Sequence, residues 1–324
     1  MTRHFLNDLD LSPEELGQVL NLAHWMRDHP YAVKALGGPQ TAAVIFDKTS
    51  TRTRVSFSAG IAALGGNPLV INPGEAQLGH KESISDTARV LARQVSLIVW
   101  RTYAQTDLEE MAQYSRVPVI NSLSDDYHPC QLLADLLTVR DHLGELRGKT
   151  LTYLGDAANN MANSYLLAGV NAGMDVRIAG PEGHLPSEEV IRAAEERAAI
   201  TGGRVTVTTD AGAALEKAHV VATDTWVSMG QEQEEAQRRE IFGRYQLNAD
   251  AMAKAADDAV VLHCLPAYRG AEITSEVIDG PHSVVWDEAE NRLHVQKALI
   301  AWLLVESERA DEETVRTVRQ AMSA

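Results

Sequence analysis

From Asp47 to Arg54 the chain reads Asp-Lys-Thr-Ser-Thr-Arg-Thr-Arg, setting hydroxyls at Ser50, Thr51 and Thr53 beside guanidiniums at Arg52 and Arg54. The run lies between a strand pattern and a helix pattern. Free N–H groups at a helix start favour an anion, hydroxyls add donors, and arginine can fork two oxygens of a phosphate. A plain Ser/Thr cap with solvated arginines needs fewer such groups, so the run is read as an anion site. Arg101 closes the apolar run Val-Ser-Leu-Ile-Val-Trp. By itself it would pass for a surface arginine, and its interest comes from following a strand as the hydroxyl-rich turn does.

His128-Pro129-Cys130-Gln131 opens a helix, with Pro129 suited to its first turn. Three readings stand: an ordinary Pro-led start, half of a zinc site with His263 and Cys264 as the other half, or a histidine and glutamine that hydrogen-bond a carbonyl and an amide. Structural zinc ligands usually pair at spacings that neither dipeptide matches, and the third reading is preferred. Gly155-Asp156-Ala157-Ala158-Asn159-Asn160 joins a strand to a helix without the glycine fingerprint of a dinucleotide turn. Asn159 and Asn160 there could orient a polar small molecule, or simply serve the turn. Asp224, in Asp-Thr-Trp-Val-Ser-Met-Gly, offers a carboxylate for an amino group. In His263-Cys264-Leu265-Pro266, adjacent side chains on a strand point oppositely. A cysteine nucleophile needs an oriented base, so Cys264 reads as pocket wall.

These clusters need elements to carry them. Short β-rich runs begin at Thr41, Asn67, Val95 and Val117, and again at Leu151, Asp175, Arg204, His219 and Ala259. Helical patterns lie between them: Phe57, Ile61 and Leu64 share one face, as do Leu132 with Leu136 and Leu133 with Leu137. A long helix is expected from Asp287 to about Glu308. Alternating strands and helices imply parallel sheets with crossover helices, hence two doubly wound α/β domains divided near the helix after His128. In such sheets ligands sit beyond the carboxyl ends of the strands. Each polar cluster follows a strand, as one converged cleft would require.

Composition narrows the partners. The 324 residues suit two domains, and a formal net charge of −16 disfavours nucleic acid and anionic membranes. Against that background, clustered arginines suggest a small anion. Two cysteines leave no disulfide framework. The N-terminal stretch lacks the apolar core of a signal peptide, and no apolar run is long enough to span a bilayer. A cytoplasmic protein is expected.

Taken in order, Ser50-Thr51-Arg52-Thr53, His128-Pro129-Cys130-Gln131, Asp224 to Gly230, His263-Cys264-Leu265-Pro266 and Glu288 to His294 resemble the aspartate/ornithine carbamoyltransferase family, and its ornithine-using members in particular. The resemblance runs over essentially the whole chain. It implies two parallel-sheet domains of similar size. A carbamoyl-phosphate domain would span 1–138 and an ornithine domain 139–302, with the C-terminal helix, 303–324, packing back on the first. It implies transfer of the carbamoyl group of carbamoyl phosphate to the side-chain amine of L-ornithine, giving citrulline and phosphate, in arginine biosynthesis. Ser50, Thr51, Arg52, Thr53 and Arg101 would hold the phosphate. His128 and Gln131 would hold the carbamoyl group, with Arg292, Cys264 and Leu265 closing the site. Asn160, Asp224, Ser228 and Met229, with Asn159 beside them, would hold ornithine. Arg101, His128, Asp224 and Cys264 would act on the reacting atoms. Gln77 resembles a loop residue lent to a neighbouring subunit, implying a homotrimer or an assembly of trimers. No metal or organic cofactor is implied. Tyr268 and Arg269 receive no role. The competing expectations are a sister enzyme using aspartate, putrescine or N-acetylornithine, a nicotinamide-dependent oxidoreductase, and a non-catalytic relative that binds only the anion.

Overall fold

The computed structural model describes residues 2–74, 82–227 and 232–323. The chain divides into two compact units, Met1–Leu137 with Glu290–Ala324, and Thr138–Ala289. Each is an α/β unit with an all-parallel sheet, as the alternating pattern predicts.

In the first unit, β1 (Thr41–Phe46), β2 (Asn67–Ile71), β3 (Leu97–Arg101) and β4 (Val119–Leu123) form a sheet of order β2-β1-β3-β4. The run expected from Val117 enters the ladder as β4 at Val119. Pro118 has no N–H to donate and contributes only its carbonyl, to Ile98 N at 2.9 Å. Ile45, Ile98, Trp100, Leu108, Met111 and Val119 pack into one core cluster. The helix Thr51–Ala63 buries Phe57 and Ile61 and is capped by Ser50, whose Oγ accepts from Thr53 N at 3.3 Å. The helix Pro13–Asp28 begins with a capping box between Ser12 and Glu15. The C-terminal segment of this unit packs on that helix. Trp302 Nε1 donates to Gln18 Oε1 at 3.3 Å, Lys297 Nζ to Met26 O at 3.2 Å, and Asn21 Nδ2 to Met322 O at 3.1 Å.

In the second unit, β5 (Thr150–Leu154), β6 (Asp175–Ala179), β7 (Arg204–Thr208), β8 (Val220–Thr223) and β9 (Val260–His263) form a sheet of order β7-β6-β5-β8-β9. Leu154, Val221, Leu247, Val261 and Ile273 lie in its core. The helix Asn160–Asn171 approaches β6 closely at Gly169. A Cβ there would stand 2.5 Å from Val176 Cγ2, so only glycine fits without repacking.

Strand order reverses between β1 and β3 in the first sheet and between β5 and β8 in the second. Those two places are where open parallel sheets leave a crevice at the strand carboxyl ends. The run Ser50–Arg54 follows β1 and Arg101 ends β3. Gly155–Asn160 follow β5 and Asp224 follows β8. These four clusters therefore sit at the reversal points, whereas His128 follows the edge strand β4 and His263 ends the edge strand β9.

Candidate active site

In the first unit, three guanidiniums converge on His128. Burial holds the His128 imidazole well below the ordinary histidine range, and Arg292, Arg101 and Arg52 depress it further. His128 is therefore neutral at pH 7. Arg292, on the helix Val285–Glu306, is 3% exposed and reaches both remaining motifs. Its Nη2 donates to Thr53 Oγ1 at 2.7 Å and its Nη1 to Gln131 Oε1 at 2.9 Å. Gln131 Nε2 in turn donates to Asp135 Oδ1 at 2.8 Å, one helical turn on. Arg292 thus joins the hydroxyl-rich turn to the helix that begins at Pro129. Thr51 is exposed at the first position of its helix, with Ser50 and Arg52 half-buried beside it. Arg54, by contrast, turns to Asn72 Oδ1 and the Phe46 ring. Cys130 is fully buried, donates to Asn121 O at 3.3 Å, and is pushed up to about 12 by burial.

In the second unit the pattern is reversed in sign. Asp224 is 8% exposed, and burial raises its carboxyl above the usual 3.8, only partly offset by His263, the Cys264 thiol and Thr225 N–H. Cys264 Sγ donates to Asp224 Oδ1 at 3.2 Å. The turn that carries Cys264 is held by a buried chain. Leu265 N donates to His263 Nδ1 at 2.9 Å, which fixes the proton on Nε2 facing Glu272 Oε1 at 3.1 Å. Glu272 Oε1 also accepts from Tyr268 N at 2.6 Å, and Glu288 Oε2 accepts from His263 N at 2.8 Å. Leu265 adopts the left-handed region at φ 55, a strained conformation for a branched side chain. Asp224, His263 and Cys264 bring ligand-type atoms within 4.8 Å of one another. Both imidazole nitrogens of His263 are already engaged by protein groups, and the sulfur by Asp224, so a cation here would have to displace those bonds.

Asn159 is the N-cap of the helix Asn160–Asn171. Its Oδ1 accepts from Ala162 N at 2.8 Å, and its Nδ2 donates to the Tyr153 hydroxyl at 3.1 Å. Its side chain therefore serves the turn, which leaves Asn160 as the asparagine half-exposed at the helix start. Tyr268 and Arg269 lie outside both clusters as side chains. Tyr268 is exposed, and Arg269 pairs with Asp279 at 2.8 Å. Gln77, Ser228 and Met229 lie outside the described residues.

A family model for the aspartate/ornithine carbamoyltransferase carbamoyl-P binding domain matches residues 3–141. Its companion, the Asp/Orn binding domain, matches residues 147–303. The chain belongs to the aspartate/ornithine carbamoyltransferase family. It is 67% identical over 311 residues to an ornithine carbamoyltransferase of Renibacterium salmoninarum, covering 95% of this chain and 100% of that one. It is 63% identical over 307 residues to one of Clavibacter michiganensis subsp. michiganensis, covering 95% of this chain and 100% of the relative. Among solved structures it matches the ornithine carbamoyltransferase of Pyrococcus furiosus with a TM-score of 0.89 at 46% identity, covering 93% of this chain and 96% of that chain. The anabolic enzyme of Campylobacter jejuni subsp. jejuni matches with a TM-score of 0.87 at 39% identity, covering 93% and 98%.

Within this carbamoyltransferase chain, sequence reasoning missed the residues that hold the site residues in place. Asp135 carried a usable signal, since it stands four positions after Gln131 on a helix face. Arg238 carried none, because its partner Asp156 lies 82 positions away.

Proposed function

We infer that this chain is an ornithine carbamoyltransferase, moving the carbamoyl group of carbamoyl phosphate to the side-chain amine of L-ornithine. The observation that carries the reading is the convergence of Arg52, Arg101 and Arg292 on a buried, neutral His128. Three cations acting on one neutral imidazole suit an anionic ligand, and carbamoyl phosphate is a phosphate with an adjacent carbonyl. Ser50, Thr51, Arg52, Thr53 and Arg101 are assigned to the phosphate. His128, Gln131 and Arg292 are assigned to the carbamoyl group, with Cys264 and Leu265 completing its surroundings. Asn160 and Asp224, with Ser228 and Met229, are assigned to ornithine.

Ornithine's side-chain ammonium has a pKa of about 10.4 by analogy with lysine, so it must shed a proton before it attacks. The neutral amine forms the C–N bond, and the C–O bond to phosphate breaks with its electron pair leaving on oxygen. The departing phosphate needs a proton and the new urea nitrogen must lose one, so the two balance. Arg101 and a neutral His128 stabilise the developing oxyanion. Asp224 and the Cys264 thiol orient the amine end of the substrate. Positioning and preorganised charge supply the rate gain.

A cytoplasmic homotrimer, or an assembly of trimers in which Gln77 reaches a neighbouring subunit, is part of the same reading, as is a place in arginine biosynthesis. Family membership supports both. Among the described residues no helix is long and apolar enough to cross a membrane. The test is a panel: purified protein with carbamoyl phosphate and, separately, ornithine, putrescine, N-acetylornithine and aspartate. Citrulline and phosphate released only with ornithine support the reading. Turnover with another amine in its place would overturn it.

A further inference from the structure

Arg238 is a surface-type residue in an acidic stretch, Glu-Gln-Glu-Glu-Ala-Gln-Arg-Arg-Glu, yet it is 6% exposed. Its neighbour Arg239 shows what the stretch would normally do, pairing with Glu235 at 3.0 Å in solvent. Arg238 instead turns inward from the helix Glu235–Phe242. Its Nη2 donates to Asp156 Oδ2, and its Nε donates to the carbonyl of Trp226. The guanidinium lies 5.1 Å from the centre of the Phe242 ring, which stacks on Trp226 with centroids 6.1 Å apart. Asp156, equally buried, uses its other oxygen to accept from Ala158 N at 3.2 Å.

One guanidinium therefore ties together two segments that the sheet places side by side. Asp156 belongs to the turn after β5, which leads directly to Asn159 and Asn160. Trp226 stands two residues after Asp224, in the segment after β8. These are the two sides of the reversal point in the second sheet. Gly155, at φ 129, brings them close enough that a Cβ would stand 3.3 Å from Trp226 Nε1. Neither Asp156 nor Arg238 is assigned to a substrate. A buried charge pair is seldom kept for stability alone, since apolar residues of similar volume often serve as well.

We propose that Arg238, acting through Asp156 and the Trp226 carbonyl, is a positioning residue for the amine substrate. It fixes the spacing between Asn160 and Asp224 and so sets affinity for that substrate, without touching it. This rests on the assignment of Asn160 and Asp224 to the amine.

The test is steady-state kinetics on the full-length R238K, R238M and D156N variants and the D156N/R238M double variant. Lysine keeps the charge but cannot fork to Asp156 and the Trp226 carbonyl together. R238K is expected to raise KM for ornithine tenfold or more, with kcat changed less than threefold and the Kd for carbamoyl phosphate within twofold of wild type. The double variant is expected to match the worse single variant, because both break one link. An ornithine KM within twofold of wild type in R238K and R238M overturns the proposal. So does an equal rise in the carbamoyl-phosphate Kd, which would mean general loosening, and so does a double variant whose losses multiply. If the amine panel names a different substrate, the functional reading fails first. The same comparison, made with that amine, then decides the role of Arg238 by the same thresholds.

Discussion

Thr53→Val isolates one contact in the anion cluster. Thr53 is fully buried, and its Oγ1 accepts from Arg292 Nη2 at 2.7 Å while Nη1 of the same guanidinium stays on Gln131. Valine keeps the branched shape, and the Thr53 backbone N–H still donates to the Ser50 cap. What disappears is one charge-assisted hydrogen bond, leaving a buried donor without its acceptor. Such a bond contributes about 1.5–3 kcal/mol, or roughly ten- to a hundredfold in an equilibrium constant. Arg292 keeps its second anchor on Gln131, so the lower end applies, and carbamoyl phosphate should bind about tenfold more weakly. Titration calorimetry with carbamoyl phosphate, and with inorganic phosphate as a stable probe, measures it. Thr53→Ser restores the hydroxyl and should recover most of the loss. If Thr53→Val bound both ligands within twofold of wild type, or if serine failed as valine does, Arg292 would not be aimed by Thr53.

Three further variants test the same structure. Arg52→Ala should lose carbamoyl-phosphate binding by about 1.5–3 kcal/mol or more with little change in far-UV circular dichroism, and near-native affinity would move the phosphate elsewhere. Asp224→Asn should raise KM for ornithine far more than that for carbamoyl phosphate, and equal effects would take Asp224 out of the amine pocket. The same variant should melt higher than wild type at neutral pH. Burial raises the Asp224 carboxyl above 3.8, so ionising it opposes folding, and that penalty grows as pH rises through the folded value. The advantage should fade as pH falls toward 4, and a constant or inverted difference would contradict it. Gly169→Ala sets a methyl against Val176 Cγ2 and should cost about 1–3 kcal/mol by overpacking, seen as a lower melting temperature. An unchanged melt would mean the helix and β6 can part without cost.

The nine strands among the described residues were legible because each combines a short β-branched run with a turn signal, and the candidate site residues stood out because unusual polar groups follow those strands. Ser50 as a cap and Pro129 as a helix start needed only local rules. Strand order was not legible, since nothing local says that β3 pairs with β1 and β8 with β5. The partners of the site residues were hidden for the same reason. Thr53 and Arg292 are 239 positions apart, and Asp156 and Arg238 are 82 apart. Asn159 left two readings open, a ligand contact or turn chemistry, and its place before a helix makes it the cap.

The two clusters share a physical logic. In an acidic protein, the first unit sets buried Arg292 and half-buried Arg52 and Arg101 to act on a buried imidazole, whose pKa is held down by burial first and by those cations second. The second unit buries a carboxylate, and its pKa is pushed up. Each shift runs in the direction that resists the charge already present, and each would be relieved by a ligand of opposite sign: a phosphate in one unit, an ammonium in the other. Groups perturbed in this way gather at functional sites because stability is given up where binding will recover it. The reaction adds one demand that a pure binding protein would not have, since the amine must arrive charged and react neutral. On the assignment of Asp224 to the amine substrate, a buried carboxylate whose proton affinity is raised and which accepts from a thiol would meet that demand at either amino group of ornithine.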